Sequence, residues 1–273
     1  MGLVREIKAY EKELGFTETD NFKSYSPETK AYDYFFYTSQ TQLPHSLDDP
    51  LLKYGTGTSE DFPFDLEKYD IFFYSIQSIA DVETPVTKSL MEAALPRFIH
   101  IIFHEDWHEQ IDLPLGIEEP SAEVVSYSAA MLFAKEKFGQ DSEVYTTLRQ
   151  QLNNKLGESE VYKDYYQQLK NLYSNYRNGA VSETEALRSK DRLLETMEQE
   201  LQQIWGARPD QLNNALIAFQ ITYYRYLPLM YRVLSDTGSN LVETISIFRS
   251  MPEQGTHFNS VDEIKHIEKE VSK

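Results

Sequence analysis

Pro96–His108, with the sequence PRFIHIIFHEDWH, combines an apolar run with two closely spaced histidines at its end. Proline suits the first turn of a helix, where its missing N–H leaves no hydrogen bond unmade. The residues after Pro96 are apolar on most sides of that helix, and such a helix is normally buried. The segment therefore predicts a buried helix over about 96–110, against which the rest of the chain packs.

Helical patterns also dominate the chain after this segment. Pro120 marks a second helix start, and a helix is predicted over about 121–138. Two long polar helices follow at about 142–177 and 182–205. The second carries a narrow apolar stripe, which predicts a self-packed antiparallel hairpin, with a partner interface as the alternative. Further helices are predicted over about 210–270.

The part of the chain before Pro96 has a different texture. A short amphipathic helix is predicted over about 3–15. Between about 30 and 82, Tyr32–Tyr37 and Tyr69–Ile76 are aromatic and β-branched runs bounded by Pro, Gly, Asp and Ser, which is typical of strands. No repeat or Pro/Gly-rich linker divides the chain, so one domain over 1–273 is expected. The predicted class is mainly α with a small β-sheet (α+β).

The composition excludes several classes of protein. With 41% apolar and 13% aromatic residues, the chain can form a packed core and does not resemble a disordered protein. Its net charge of −18 argues against nucleic acid as a partner, because phosphates select basic surfaces. No stretch approaches the ~20 apolar residues of a membrane span. The cellular compartment stays open: the protein is expected to be cytosolic, or exported with a signal that this sequence lacks.

The pentapeptide His104-Glu105-Asp106-Trp107-His108 has the spacing of a metal site. Residues four apart share a helix face, about 5–6 Å apart at Cβ, so His104 and His108 can bind one ion. Glu105 directly follows His104, so its side chain lies beside the ion rather than on it, where it can act as a general base. The chain has no cysteine, so the ion must be held by imidazole and carboxylate groups. One zinc ion per chain is the cofactor expected from this pattern.

A hydrolytic zinc usually has three protein ligands and an open position for water. The third ligand is expected from Glu118-Glu119-Pro120-Ser121-Ala122-Glu123, which opens the next predicted helix. Glu119 is the preferred ligand, with Glu118 and Glu123 as alternatives, and Glu118 also suits an interaction with the helix dipole. Glu123 lies four residues after Glu119 and can orient a ligand histidine.

The other histidines are weaker candidates. His100 lies one turn before His104. The outer two of His100, His104 and His108 are about 12 Å apart along a straight helix, so the three side chains do not converge easily on a single ion. His100 is therefore expected to be a buried histidine with a hydrogen-bond partner. His45, His257 and His266 stand alone in the sequence, although His257 is a candidate to stabilise an oxyanion.

These motifs resemble the gluzincin metallopeptidases, in which a His-Glu-x-x-His helix precedes a second helix with a Glu ligand and an acidic residue four positions later. Within them, the chain looks most similar to the bacterial "predicted aminopeptidase" group, from its N-terminus to about residue 250. The matching segments are Asp81-Val82-Glu83-Thr84-Pro85-Val86, His104 to His108, Glu118 to Glu123, Asn213-Asn214-Ala215 and Thr222-Tyr223. The chain departs from the family pattern at Asp106, Trp107, Glu118 and Leu216, which puts its substrate preference in question.

The resemblance implies further roles. Gluzincins use a Tyr or His donor opposite the base to stabilise the oxyanion, which points to Tyr223, with His257 as the alternative. Asn213 lies ten residues before Tyr223 on the same predicted helix face and is expected to support the site. Such enzymes pair an extended substrate with a strand edge, here Tyr69–Ile76. Family members often begin with a lipoprotein-type signal, which favours a cell-envelope location for a longer form of the protein.

The leading hypothesis is a zinc-dependent peptidase, and an aminopeptidase by resemblance, acting on peptides or proteins. The alternative is an inactive zinc-containing binding or scaffold protein of the same fold, which Trp107 and Glu118 would favour by altering the pocket. A third reading is hydrolysis of a non-peptide amide or ester. The sequence does not indicate exo- or endopeptidase specificity, nor the oligomeric state.

Overall fold

The computed structural model describes residues 1–79, 83–207 and 212–251. Nearly all of the regular structure is helical, with five short strands in these ranges. The elements are α1 Gly2–Glu13, β1 Tyr25–Ser26, β2 Tyr32–Ser39, β3 Lys53–Thr56, β4 Tyr69–Ile76, β5 Val86–Thr87, α2 Lys88–Glu92, α3 Leu95–His108, α4 Leu115–Phe138, α5 Glu143–Arg177, α6 Glu183–Trp205, α7 Asn214–Tyr224, α8 Leu227–Asp236 and α9 Leu241–Arg249. The predicted α+β class, mainly helical with little strand, is confirmed.

The chain divides into two compact units. Unit 1 comprises Met1–Tyr32, Ile76–Asn153 and the described residues from Tyr226 onward, and unit 2 comprises Asp33–Ser75 and Asn154–Arg225. The single domain expected over 1–273 stays a prediction. Among the described residues, no helix is both long and apolar enough to cross a membrane.

Helix α3 is the centre of unit 1. Ten consecutive residues, Phe98–Trp107, are buried in it, which is what an all-round apolar helix requires. Helices α1 and α4 pack against it. Phe103 contacts Phe133 of α4 with ring centroids 6.3 Å apart, and Trp107 contacts Phe248 of α9 at 6.2 Å. The predicted helix over about 96–110 is thus the buried element around which this unit packs.

Trp107 lies within the His104–His108 segment, but its side chain belongs to the core of unit 1. Its side chain is fully buried, and its indole N–H donates a hydrogen bond of 2.9 Å to Ser121 Oγ on α4. We expect Trp107→Ala to lower the free energy of unfolding by about 3–5 kcal/mol, because it leaves a large cavity between the two helices. Urea unfolding of the Trp107→Ala variant measures the loss of stability. Trp205→Ala is the control, because Trp205 is 39% exposed. Equal losses in the two variants would contradict it.

Helix α4 begins earlier than its sequence suggests. It starts at Leu115, and Pro120 lies inside it, so the expected start at Pro120 is wrong. The carbonyl of Pro114 accepts hydrogen bonds from the N–H groups of Ile117 and Glu118, which closes a first turn before Pro120 is reached. Pro120 is the sixth residue of α4 and lies beyond the four unpaired N–H groups of the first turn, so the carbonyl of Gly116 lacks the N–H donor that a residue other than proline would supply. The extra turn carries Glu118 and Glu119 on regular helix, which fixes their directions.

Unit 2 contains a three-stranded sheet in the order β3-β2-β4. The two best strand candidates of the sequence are β2 and β4, and β4 is at the edge of this sheet. Helix α7 covers one face, where Phe219 packs against Phe36 and Phe72 with ring centroids 5.3 and 5.2 Å apart. The other face carries a second aromatic cluster around Phe35, Phe62 and Ile71.

The long helices α5 and α6 pack antiparallel, as the sequence predicted. The chain reverses at Gly179, whose positive φ of 73° suits glycine at a helix C-terminus. Ser182 and Glu185 then form a capping box that starts α6. Within unit 2, Tyr165 of α5 donates a 2.7 Å hydrogen bond to Glu200 of α6. The hairpin is therefore self-packed along this part of its length.

The C-terminal prediction is met in part. The first of the helices predicted after residue 210 are α7 and α8, and Pro228 is in the first turn of α8. Helix α9 follows and packs with α8 against α4. The rest of the predicted 210–270 helical region, with His257 and His266, lies outside the described residues, as do Asp81 and Val82.

Candidate metal centre

Two neighbouring helices position the candidate residues. The short connection between α3 and α4 turns the chain back, so that contacts along the two helices run in opposite order. His100, His104 and His108 follow each other at successive turns of one side of α3. Facing them on α4 are Glu123 beside His100, Glu119 beside His104, and Glu118 beside His108. Imidazoles and carboxylates therefore meet in pairs along the interface.

His104, His108 and Glu119 bring three donor atoms to one point. The Nε2 atoms of the two histidines are 3.2 Å apart, and Glu119 Oε2 lies 3.3 Å from the first and 3.6 Å from the second. In a tetrahedral zinc site with ligands at about 2.0–2.1 Å, neighbouring donors are about 3.3–3.4 Å apart. The observed triangle has that size. The three side chains thus form a group that can hold a metal ion.

The group reaches the surface of unit 1. The side chains of His104, His108 and Glu119 are 9%, 10% and 10% exposed, so they are largely but not wholly desolvated. A catalytic ion needs an open position for water, whereas a structural ion is enclosed by its ligands. Three protein donors leave one position of a tetrahedral ion without a protein ligand.

Glu118 orients His108. Its Oε1 atom is 2.5 Å from His108 Nδ1, and its other oxygen accepts a 3.3 Å hydrogen bond from Leu113 N–H. A carboxylate on the far nitrogen sets the tautomer of a ligand histidine, so that Nε2 is free to bind an ion. The sequence assigned Glu118 a helix-dipole role or an alternative place as ligand. The feature of the sequence that indicates this contact is the position of Glu118, one turn after the short α3–α4 connection.

We expect Glu118→Gln to weaken zinc binding by about 10- to 100-fold, because the amide no longer carries the charge that holds the His108 tautomer. Competition with a chromophoric chelator measures the affinity. Glu136→Gln is the matched control, since Glu136 is an exposed glutamate on the same helix. Equal zinc affinities for the two variants would show that the Glu118 contact does not support the site.

Electrostatics of the group favour a bound cation. Burial alone would lower the pKa of His108, but the carboxylates of Glu119, Glu118 and Glu105 outweigh it and raise the pKa to about 9. Without an ion, the excess of carboxylates is therefore balanced by a proton on His108. A divalent cation can replace that proton, since ligand histidines bind metals in their neutral form.

Glu105 lies among the same charges. Burial raises the pKa of its carboxyl above the ordinary value, against the opposing charges of His104 and His108. A carboxyl group with a raised pKa holds a proton more strongly than a free glutamate does, which suits a group that takes up a proton. Its chemistry and its place one residue after His104 are those expected of a base beside an ion.

His100 and Glu123 form a second candidate group with His104, and its donor atoms lie within 4.8 Å of one another. His100 Nε2 is 3.8 Å from Glu123 Oε2 and 3.0 Å from Ser126 Oγ, and its ring lies 4.0 Å from that of Tyr127. His100 is thus the buried, hydrogen-bonded histidine expected from its position. This group is more enclosed than the first, with His100 and Glu123 side chains 2% and 5% exposed.

Asp106, unusual inside such a motif, is explained by the packing of α1. Its carboxylate is fully buried, forms an ion pair with Lys8, and accepts a 2.7 Å hydrogen bond from Thr19. Buried carboxylates are stable only when paired in this way. Asp106 therefore points away from the histidines and ties α3 to the N-terminal helix.

Asn213 and Tyr223 belong to unit 2. Asn213 caps α7: its side chain accepts hydrogen bonds from the N–H groups of Ala215 and Leu216, and donates one of 2.7 Å to Ile71 O on β4. Tyr223 is half-buried and packs on Phe219 with ring centroids 5.3 Å apart. These contacts give both residues a role in the packing of unit 2. Their functions at the metal centre stay predictions.

No family model, curated protein or solved structure gives a significant match to this chain. What is known of the site therefore comes from its own residues. They show a buried His/His/Glu arrangement compatible with a zinc site of the His-Glu-x-x-His type, and a possible metalloenzyme centre.

Proposed function

We propose that the chain is a zinc-dependent peptidase whose ion is held by His104, His108 and Glu119. The observation that carries the proposal is the triangle of Nε2, Nε2 and Oε2 atoms with sides of 3.2, 3.3 and 3.6 Å. Imidazole and carboxylate donors at this spacing suit zinc, which accepts nitrogen and oxygen ligands in a tetrahedron. The ligand set is that of a hydrolytic site, with two histidines and one glutamate.

When bound, zinc polarises a carbonyl group and lowers the pKa of a coordinated water molecule. The residues of the chain supply the rest. Glu105 accepts a proton from the attacking water and delivers it to the leaving amine, for which its raised pKa is suited. Glu118 keeps His108 in the tautomer that presents Nε2. Tyr223 is our candidate for the donor to the oxyanion.

The proposal is tested by metal analysis and substrate profiling of the purified chain. We expect about one zinc per chain, and cleavage of a peptide library that stops when a chelator removes the ion and resumes when zinc is added back. Libraries with free and with acetylated amino termini separate the aminopeptidase hypothesis from internal cleavage. Zinc-loaded protein that cleaves no peptide would overturn the peptidase assignment.

A second candidate function is a structural metal in a binding or scaffold protein. The more enclosed group of His100, His104 and Glu123 favours it, because structural ions are surrounded by protein ligands. In that case His100→Ala would reduce zinc content, while peptide hydrolysis would be absent. The resemblance to gluzincins supports the peptidase. In that case His100 and Glu123 do not bind the ion and only stabilise the packing of α3 against α4.

A further inference from the structure

Arg97 is a cation on the metal-binding side of α3 that the proposed mechanism does not use. It lies seven residues before His104, which is close to two full helical turns, so the two side chains leave α3 within about 20° of each other. Along the helix axis they are about 10 Å apart, which is the length of about three residues of an extended peptide. Arg97 therefore lies on the same side of the helix as the candidate ion, at the distance of a nearby substrate residue.

The charge of Arg97 also acts on the metal centre. Burial raises the pKa of the Glu105 carboxyl, whereas the positive charges of the two ligand histidines and of Arg97 act in the opposite direction. Solvated charges much more than about 10 Å apart are largely screened, so the Arg97 guanidinium lies in the neighbourhood of Glu105. The helical geometry and the electrostatics thus agree that Arg97 belongs to the surroundings of the centre.

A neutral side chain holds the Arg97 guanidinium in place. Arg97 Nε donates a 3.0 Å hydrogen bond to Gln77 Oε1, and the backbone carbonyl of Gln77 accepts one of 2.6 Å from Thr87 Oγ1. The two Nη groups of Arg97 form no hydrogen bond or ion pair with any residue that the structure describes. Arg97 is half-buried, so its orientation is supported from one side while the Nη groups remain available to a ligand.

A guanidinium with free Nη groups selects a carboxylate. Its N–H groups match the two carboxylate oxygens in two parallel hydrogen bonds, a geometry that an ammonium group does not offer. The chain as a whole has a net charge of −18 and repels anions, so an anionic part of a substrate needs a local cation to bind near the ion. A peptide offers such a group either as its C-terminal carboxylate or as an Asp or Glu side chain.

We propose that Arg97 binds a carboxylate of the peptide substrate, about three residues from the bond at the ion, and so selects peptides that carry a negative charge there. This inference rests on the proposed function, because it needs a peptide that reaches the ion. It concerns which peptide binds and not how the bond is cleaved, so a binding measurement tests it separately from hydrolysis.

Peptide hydroxamates, which bind zinc without being cleaved, are the probes. In one series the peptide follows the hydroxamate and ends in a free carboxylate or in an amide. In the other, Asp or Asn is placed at each residue in turn, on either side of the hydroxamate. Calorimetric titration of the zinc-loaded full chain measures each affinity. We expect one carboxylate ligand to bind about 10- to 100-fold more tightly than its amide, in the first series for a C-terminal carboxylate and in the second for a side chain.

Variants of Arg97 assign the preference to its side chain. Arg97→Gln is expected to remove the preference for the carboxylate, and Arg97→Glu to replace it with a preference for Lys at the same residue of the ligand. A residue with only a structural role would not cause this reversal. Arg188→Glu makes the same charge change at an exposed position on α6 and should leave the preference unchanged. Circular dichroism and zinc content check the fold and the metal in each variant.

Equal affinities of the parent for the carboxylate and amide ligands would overturn the proposal, and so would an unchanged preference in Arg97→Gln. Should Arg97→Gln not fold, Arg97→Lys decides the question, because it keeps the charge but loses the parallel hydrogen bonds and should weaken only the carboxylate ligand. Failure of every hydroxamate to bind would overturn the proposal together with an accessible ion. A preference that depends on Arg97, in a protein that cleaves no peptide, would support the proposal and contradict only the peptidase.

Discussion

Replacing Glu105 with Gln is expected to lower kcat for peptide hydrolysis by about 10²–10⁴-fold while zinc stays bound. The amide is close in shape to the carboxyl group but cannot accept and return a proton. Glu105 is not one of the three converging donors, so its replacement leaves the triangle of His104, His108 and Glu119 intact. Single-turnover hydrolysis of a cleaved library peptide, with elemental analysis of the same sample, measures both quantities.

The control for this prediction is Glu92→Gln, which makes the same chemical change at an exposed position on α2. It should keep full activity and full zinc. Cleavage by Glu105→Gln at the rate of the parent would remove Glu105 from the mechanism. Loss of zinc together with activity would instead assign Glu105 to metal binding.

Replacing His104 with Ala is expected to have the largest effect on the metal. Zinc bound by a complete set of protein ligands is stabilised by about 10–16 kcal/mol, so the loss of one ligand removes roughly 3–5 kcal/mol, or about 10²–10⁴-fold in affinity. His104 is shared by both candidate groups, so this holds whichever of them binds the ion. Chelator competition gives the affinity, and thermal unfolding with and without zinc gives the linked stabilisation.

Further variants identify the group that binds. His108→Ala and Glu119→Ala should match His104→Ala if the ion lies in the accessible group, and His100→Ala should then keep most of the zinc. The reverse order would place the ion in the enclosed group. His45→Ala is the control: the His45 side chain is 58% exposed, and its Nδ1 atom pairs with Asp49 of the same loop. Parental zinc affinity in His104→Ala would refute a metal centre on α3.

Much of the helical fold was predictable from local patterns. The capping box at Ser182 and Glu185, the turn at Gly179 and the break near Pro228 depend on residues within a few positions of each other. The short strands β1, β3 and β5 were not predicted from the sequence. Strand β3 contains Gly55, and glycine is typical of loops, yet here the Phe35 ring occupies the space where a Cβ atom would be.

The same division holds for the candidate site. The placing of His104 and His108 on one face, with Glu105 beside them, follows from the 3.6-residue helical repeat, which acts within a single turn. Which carboxylate meets which imidazole depends on how α4 lies against α3, and therefore on the early start of α4 at Leu115. A shift of one residue along α4 would turn a side chain by about 100° and change its partner.

Thus the chain's local patterning establishes a buried helix with a two-histidine motif, a mainly helical fold and a self-packed hairpin. Helix packing alone brings Glu119 to both Nε2 atoms and Glu118 to His108 Nδ1, and it pairs Asp106 with Lys8. The physical reason is range: helical spacing is set by neighbours in the chain, whereas these contacts join residues up to 98 positions apart.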